Sequence, residues 1–106
     1  AVRPEQYTAG GLTVDFDKRL VRVEGKDIHL TQIEYKIVEF LARHPGRVMT
    51  YDAIMIHVWG PYLTDDNKIL RVNMANIRRK LEKNPAEPQY IQTEMGIGYR
   101  IAEEDS

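Results

Sequence analysis

Lys68-Ile69-Leu70-Arg71-Val72-Asn73-Met74-Ala75-Asn76-Ile77-Arg78-Arg79-Lys80-Leu81 is the stretch on which the fold turns. Leu70, Met74, Ile77 and Leu81 recur at i, i+4, i+7 and i+11, an apolar stripe that predicts a helix with one face in the core. The helix is expected to begin near Asp65 or Asp66 and to run to about Lys83, because Asn84-Pro85 breaks it. At about 100° per residue, Lys68, Val72, Ala75, Asn76 and Arg79 fall opposite the stripe, with Arg71 and Arg78 on one flank. Residues 67–83 hold six basic side chains against Glu82 alone, a local net of +5 on a chain whose total is −1. A solvated charged face is the plain explanation for such a helix. Val72 argues for another: burial gives no reason for it in mid-face, whereas a thymine methyl in a major groove would meet it favourably. Asn76 beside it can pair bidentately with adenine. The surrounding arginines and lysines suit phosphate contacts, which fix position rather than read sequence.

Upstream, Thr31-Gln32-Ile33-Glu34 reads as a capping box, and Ile33, Ile37, Phe40 and Leu41 follow at helical spacing until His44-Pro45-Gly46. A second helix starts after Thr50, with Asp52 favoured in its first turn, and stops at Gly60-Pro61. Before both lie three short runs, Leu12–Asp15, Leu20–Glu24 and Asp27–Leu30, separated by the turn pairs Asp17-Lys18 and Gly25-Lys26, which predict a small antiparallel sheet. After the third helix, Tyr90–Thr93 and Tyr99–Ala102 flank Gly96-Ile97-Gly98, whose glycines permit a tight hairpin. The order is that of an α+β winged helix-turn-helix: N-terminal antiparallel sheet, three helices, C-terminal β-hairpin wing. Residues 1–10, without apolar periodicity, read as a linker, 11–102 as the domain and 103–106 as a frayed acidic tail.

Composition excludes several other classes. At 106 residues and 12.3 kDa the chain suits one domain. With 15 Lys and Arg against 16 Asp and Glu, any basic surface must be local. The absence of Cys removes disulfides, thiolate zinc sites and Cys nucleophiles, and suits a cytoplasmic location. The longest apolar run, Ala53–Ile56, is far short of a membrane span, and the first residues carry no signal-peptide pattern. His29, His44 and His57 lack metal-ligand spacing. Asp15 and Asp17 flank a turn with no second constellation, and Gly96-Ile97-Gly98 lacks the third glycine and following helix of a dinucleotide site. No enzyme, cofactor or metal is therefore expected. Trp59, the only Trp, reads as a packed aromatic whose indole N–H can also donate to phosphate.

Leu30-Thr31-x-x-Glu34-Tyr35, His44-Pro45-Gly46-Arg47-Val48, Val58-Trp59-Gly60, Ile77-Arg78-Arg79-Lys80-Leu81-Glu82 and Gly96-Ile97-Gly98-Tyr99-Arg100 follow in order, and together the chain resembles the effector domain of OmpR/PhoB-type response regulators over residues 11–102. A narrower resemblance, carried by Val58-Trp59-Gly60-Pro61, Leu70-Arg71-Val72-Asn73-Met74 and Thr93–Arg100, is to the branch that controls high-affinity potassium uptake. The family implies a receiver domain before this one, phosphorylated by a histidine kinase. It implies a first sheet strand near Tyr7 or Thr8 and a further strand paired with the wing. It also implies dimerisation of the full-length protein on direct repeats of duplex DNA, the lone domain being a monomer. By position, Lys68, Arg78, Trp59 and Tyr99 match phosphate contacts. Ile69, Val72, Asn73 and Asn76 match base-facing positions; Arg71, an additional basic residue of the narrower branch, is placed with them, and Arg79 with the phosphate contacts. Thr93, Met95, Gly96 and Gly98 form the wing, and Pro61, Tyr62 and Leu63 lie in a loop that meets RNA polymerase in several relatives. Two departures stand out: Met95 replaces an arginine that reaches the minor groove in many relatives, and Ala75 and Asn76 replace basic residues. The competing reading of the same fold is a winged helix that docks only on protein, polymerase or its own receiver, without binding DNA.

Overall fold

The computed structural model describes residues 5–61 and 67–105. Four strands, β1 (Gln6–Ala9), β2 (Leu12–Asp15), β3 (Leu20–Val23) and β4 (Lys26–Ile28), form an antiparallel sheet in sequence order. Tyr7, Ala9, Leu12, Val14 and Val21 alternate onto its buried face. The Gln6–Ala9 strand corrects the linker assignment: Tyr7 and Ala9 are buried in alternation because they pair with Val14 and Leu12 of β2, a long-range partnership no local pattern reveals. The tail is likewise held, since Asp105 N–H donates to the Thr8 carbonyl at 2.8 Å and the Asp105 carboxylate accepts from Gly10 N–H at 3.1 Å. The β3–β4 turn is Glu24-Gly25, one residue earlier than the expected pair, with φ of 52° and 79° as two-residue hairpins require.

Helix α1 (Gln32–Ala42) carries the full capping box, Thr31 Oγ1 accepting from Glu34 N–H and Glu34 Oε1 from Thr31 N–H. Strand β5 (Val48–Thr50) leads directly into α2 (Tyr51–Trp59), capped by Thr50 and ended at Gly60 with φ 93°. Helix α3 (Lys68–Leu81) is shorter than its pattern predicts at both ends: Asn67 precedes it at φ 65° without a side-chain cap, and Glu82 is already extended. Asp65 and Asp66 lie outside the described residues. Strands β6 (Ile91–Glu94) and β7 (Gly98–Ile101) form the hairpin, and β5 pairs with β7 to complete a three-stranded sheet ordered β5-β7-β6. Leu12, Ile37, Leu41, Ile54, Leu70, Met74, Ile77, Ile91 and Ile101 are fully buried in a core shared by the first sheet, all three helices and the wing. This is a winged helix-turn-helix, as the order of elements predicts.

Candidate nucleic-acid interface

The apolar stripe of α3 is buried as its periodicity requires, which turns the opposite face outward. Lys68, Arg71, Val72, Ala75 and Arg79 are exposed, and Lys68, Arg71, Val72 and Ala75 line one shallow depression. Val72 is 62% exposed, so its methyls are open to whatever this face meets. Both asparagines are half-buried and engaged along their own helix. Asn73 Nδ2 donates to the Ile69 carbonyl at 2.9 Å, and Asn76 Oδ1 accepts from Arg79 Nη1 at 2.6 Å. Ile69 itself packs partly against the core.

Other expected site residues take different places. In the free domain Arg78, expected at a phosphate, lies against the wing. Its Nη2 donates to the Ile91 carbonyl at 2.9 Å and to Thr93 Oγ1 at 2.8 Å, and its guanidinium carbon lies 5.4 Å from the centre of the Tyr99 ring. Tyr99, also expected at a phosphate, is only 4% exposed, its ring edge-on to Tyr51. Burial raises the pKa of its hydroxyl, against the pull of the Arg78 and Arg71 charges. Trp59 is half-buried and packs on the core. Pro61 is exposed, whereas Tyr62 and Leu63 lie outside the described residues.

The wing has a rigid stem and an apolar tip. Its three-residue turn is Met95-Gly96-Ile97, closed by Ile97 N–H donating to the Glu94 carbonyl at 2.9 Å. Gly96 takes the positive φ, 76°, that the turn needs. Gly98 serves a different purpose from the one expected of it: a Cβ there would overlap the Met49 carbonyl on β5. Tyr51 N–H also donates to the Ile97 carbonyl at 3.1 Å, tying the tip to the start of α2. Met95 is 89% exposed and Ile97 55% exposed.

Two buried carboxylates hold this assembly, and neither role was legible in the sequence. Glu34 of the capping box accepts from Lys80 Nζ at 2.6 Å, which joins the start of α1 to the end of α3. Burial pushes its pKa up, but the Lys80 and Thr31 hydrogen bonds outweigh this and hold it below the usual glutamate value. Glu82, read only as the lone acid of the basic segment, accepts from the N–H groups of Gln89, Tyr90 and Ile91 at 2.6–3.1 Å and fixes the start of the wing to α3. The capping-box spacing could mark Glu34 as a local cap; only the fold brings Lys80 to it. His44 and His57 flank Phe40, His57 stacked at 4.3 Å and His44 edge-on at 5.3 Å. Among the described residues, no group of three His, Asp or Glu is placed to hold a metal ion.

The family model for the C-terminal domain of transcriptional regulatory proteins matches residues 25–101. Over 90 residues the chain is 38% identical to the KDP operon transcriptional regulatory protein KdpE of Escherichia coli, covering 85% of this chain and 40% of that protein. The chain thus spans well under half the length of that relative. Among solved structures it superposes on DrrB, a Thermotoga maritima OmpR/PhoB homolog, with a TM-score of 0.83 and 31% identity over 92% of this chain and 44% of that one. On the Klebsiella pneumoniae RstA DNA-binding domain in complex with the RstA box, the TM-score is 0.81 and the identity 30%, over 92% of this chain and 97% of that one. By sequence match and by fold, the chain belongs to the C-terminal family of transcriptional regulatory proteins, as an OmpR/PhoB-type response-regulator effector domain that resembles KdpE.

Proposed function

We propose that this domain binds duplex DNA sequence-specifically, with α3 in the major groove and the wing alongside the backbone, and that it controls transcription of high-affinity potassium transport genes. The observation that carries the DNA reading is the exposed face of α3, on which Val72 stands 62% exposed among Lys68, Arg71 and Arg79. Lys68 and Arg79 neutralise phosphates, and Ile69, Arg71, Val72, Asn73 and Asn76 face bases. Similarity to KdpE of the KDP operon supports the choice of genes, and the RstA neighbour, a DNA-binding domain in complex with its box, supports DNA binding. In the full-length protein, a receiver phosphorylated by a histidine kinase brings two such domains onto direct repeats about 10 base pairs apart. Pro61, Tyr62 and Leu63 meet RNA polymerase, and the protein works in the cytoplasm.

Fluorescence anisotropy against a potassium-transporter promoter duplex and a scrambled duplex, over a salt series, tests this. Tighter promoter binding is expected, with log affinity falling against log salt at a slope on the order of −4 to −5, for about five neutralised phosphates. Equal, salt-steep binding to both would retain the DNA-binding role and remove the potassium assignment. No binding at low salt would leave a protein-docking module.

A further inference from the structure

Arg78 sits where the two parts of the interface meet. Its Nη2 is shared between the Ile91 carbonyl and Thr93 Oγ1 on β6, its Nε is buried, and its guanidinium lies over the Tyr99 ring on β7. Thr93 and Tyr99 are cross-strand partners, so one side chain of α3 grips a single rung of the hairpin from both strands. Both bonds come from one nitrogen, so the feature a lysine lacks is the flat guanidinium that covers the Tyr99 ring while that nitrogen reaches β6.

We propose that Arg78 is a positioning residue that sets the spacing between α3 and the wing, and that it acts on DNA binding through Thr93 and Ile91 rather than as a phosphate-neutralising charge. The proposal rests on the DNA-binding reading above. Binding is strengthened when the two contacting elements are already held at their bound spacing, because less ordering remains to be done on association. A phosphate contact and a brace then differ in what replaces them. Lysine satisfies a phosphate; it does not rebuild the brace.

Anisotropy titrations of wild type, Arg78→Lys, Thr93→Val and the double variant, on the promoter duplex over a salt series, separate the two. Arg78→Lys is expected to bind about fivefold more weakly with an unchanged salt slope, and Thr93→Val to add little on that background, since both remove one coupled contact. Faster amide hydrogen exchange at residues 91–99 in each single variant would accompany the loss. Wild-type affinity in Arg78→Lys, or losses that add in full, would overturn the proposal. Should Arg78→Lys not fold, Thr93→Val decides alone, and unchanged affinity there overturns it. No binding by wild type would instead remove the DNA reading, and the brace's role in binding with it.

Discussion

Arg79 Nη1 donates to Asn76 Oδ1 at 2.6 Å, so the carbonyl that would accept from an adenine amino group is already occupied in the free domain. Both side chains stand on the outward half of α3, three residues apart, where such pairs form readily. Recognition of adenine therefore requires Arg79 to release or share that oxygen, and a phosphate is the natural alternative partner for the guanidinium. Asn76→Ala is expected to cost about 1–3 kcal/mol on the preferred site and little on scrambled DNA. Arg79→Ala should weaken both duplexes alike and lower the salt slope by about 0.9. Paired anisotropy titrations check this, and equal losses on both duplexes for Asn76→Ala would remove it from the base-reading set.

Gly98→Ala should destabilise the domain by about 1–3 kcal/mol, because its Cβ would meet the Met49 carbonyl of β5, and backbone cannot give way as a flexible side chain can. Met95→Gln, at the open wing tip, should change stability by no more than about 0.5 kcal/mol. Thermal melts of the two variants give the comparison. A Gly98→Ala melt matching wild type would mean that β5 does not approach the wing as closely as described.

Glu34 links pH to stability. Its folded-state pKa is depressed, on balance, by the Lys80 and Thr31 hydrogen bonds, so its contribution is present above the unfolded glutamate value of about 4.3 and fades as pH falls through the lower folded value. Glu34→Gln should therefore unfold at lower urea than wild type at pH 7, with the gap narrowing below about pH 4. A gap that is constant across this range would show that the carboxylate charge is not what joins α1 to α3.

Glu82→Ala would strand the buried N–H groups of Tyr90 and Ile91, together with that of Gln89. A loss of about 3 kcal/mol or more is expected, since unsatisfied buried donors cost about 1–3 kcal/mol each. Urea denaturation of the purified domain measures it, and a loss below about 1 kcal/mol would contradict the anchoring role.

The helices were legible because their signals are local. Thr31 and Glu34 lie three residues apart, Thr50 directly precedes its helix, and Leu70, Met74, Ile77 and Leu81 repeat within one segment. Strands β1 and β5 were not read from the residues themselves because, unlike β2 to β4, neither lies among closely spaced apolar runs, and each is defined by its partner. Val48 pairs with Arg100, which no local pattern reveals, and only family resemblance anticipated either strand. The exposed half of the site followed from the same helical period, and Val72, Lys68 and Arg71 face outward as that period requires. The contacts of Arg78 and Tyr99 in the free domain did not follow from that period. An arginine on the flank of a helix can meet solvent, phosphate or a neighbouring strand, and which of these it meets depends on where the hairpin packs.

Titrating the ¹⁵N-labelled domain with the promoter duplex, and following its amide resonances, shows whether the outward face of α3 and the wing tip together contact DNA. Shifts should concentrate on Lys68, Arg71, Val72, Ala75, Asn76 and Arg79 and on Met95–Ile97, reversing as salt is raised. Shifts confined to the four-stranded sheet or to α1, with these positions unmoved at saturating duplex, would contradict that contact.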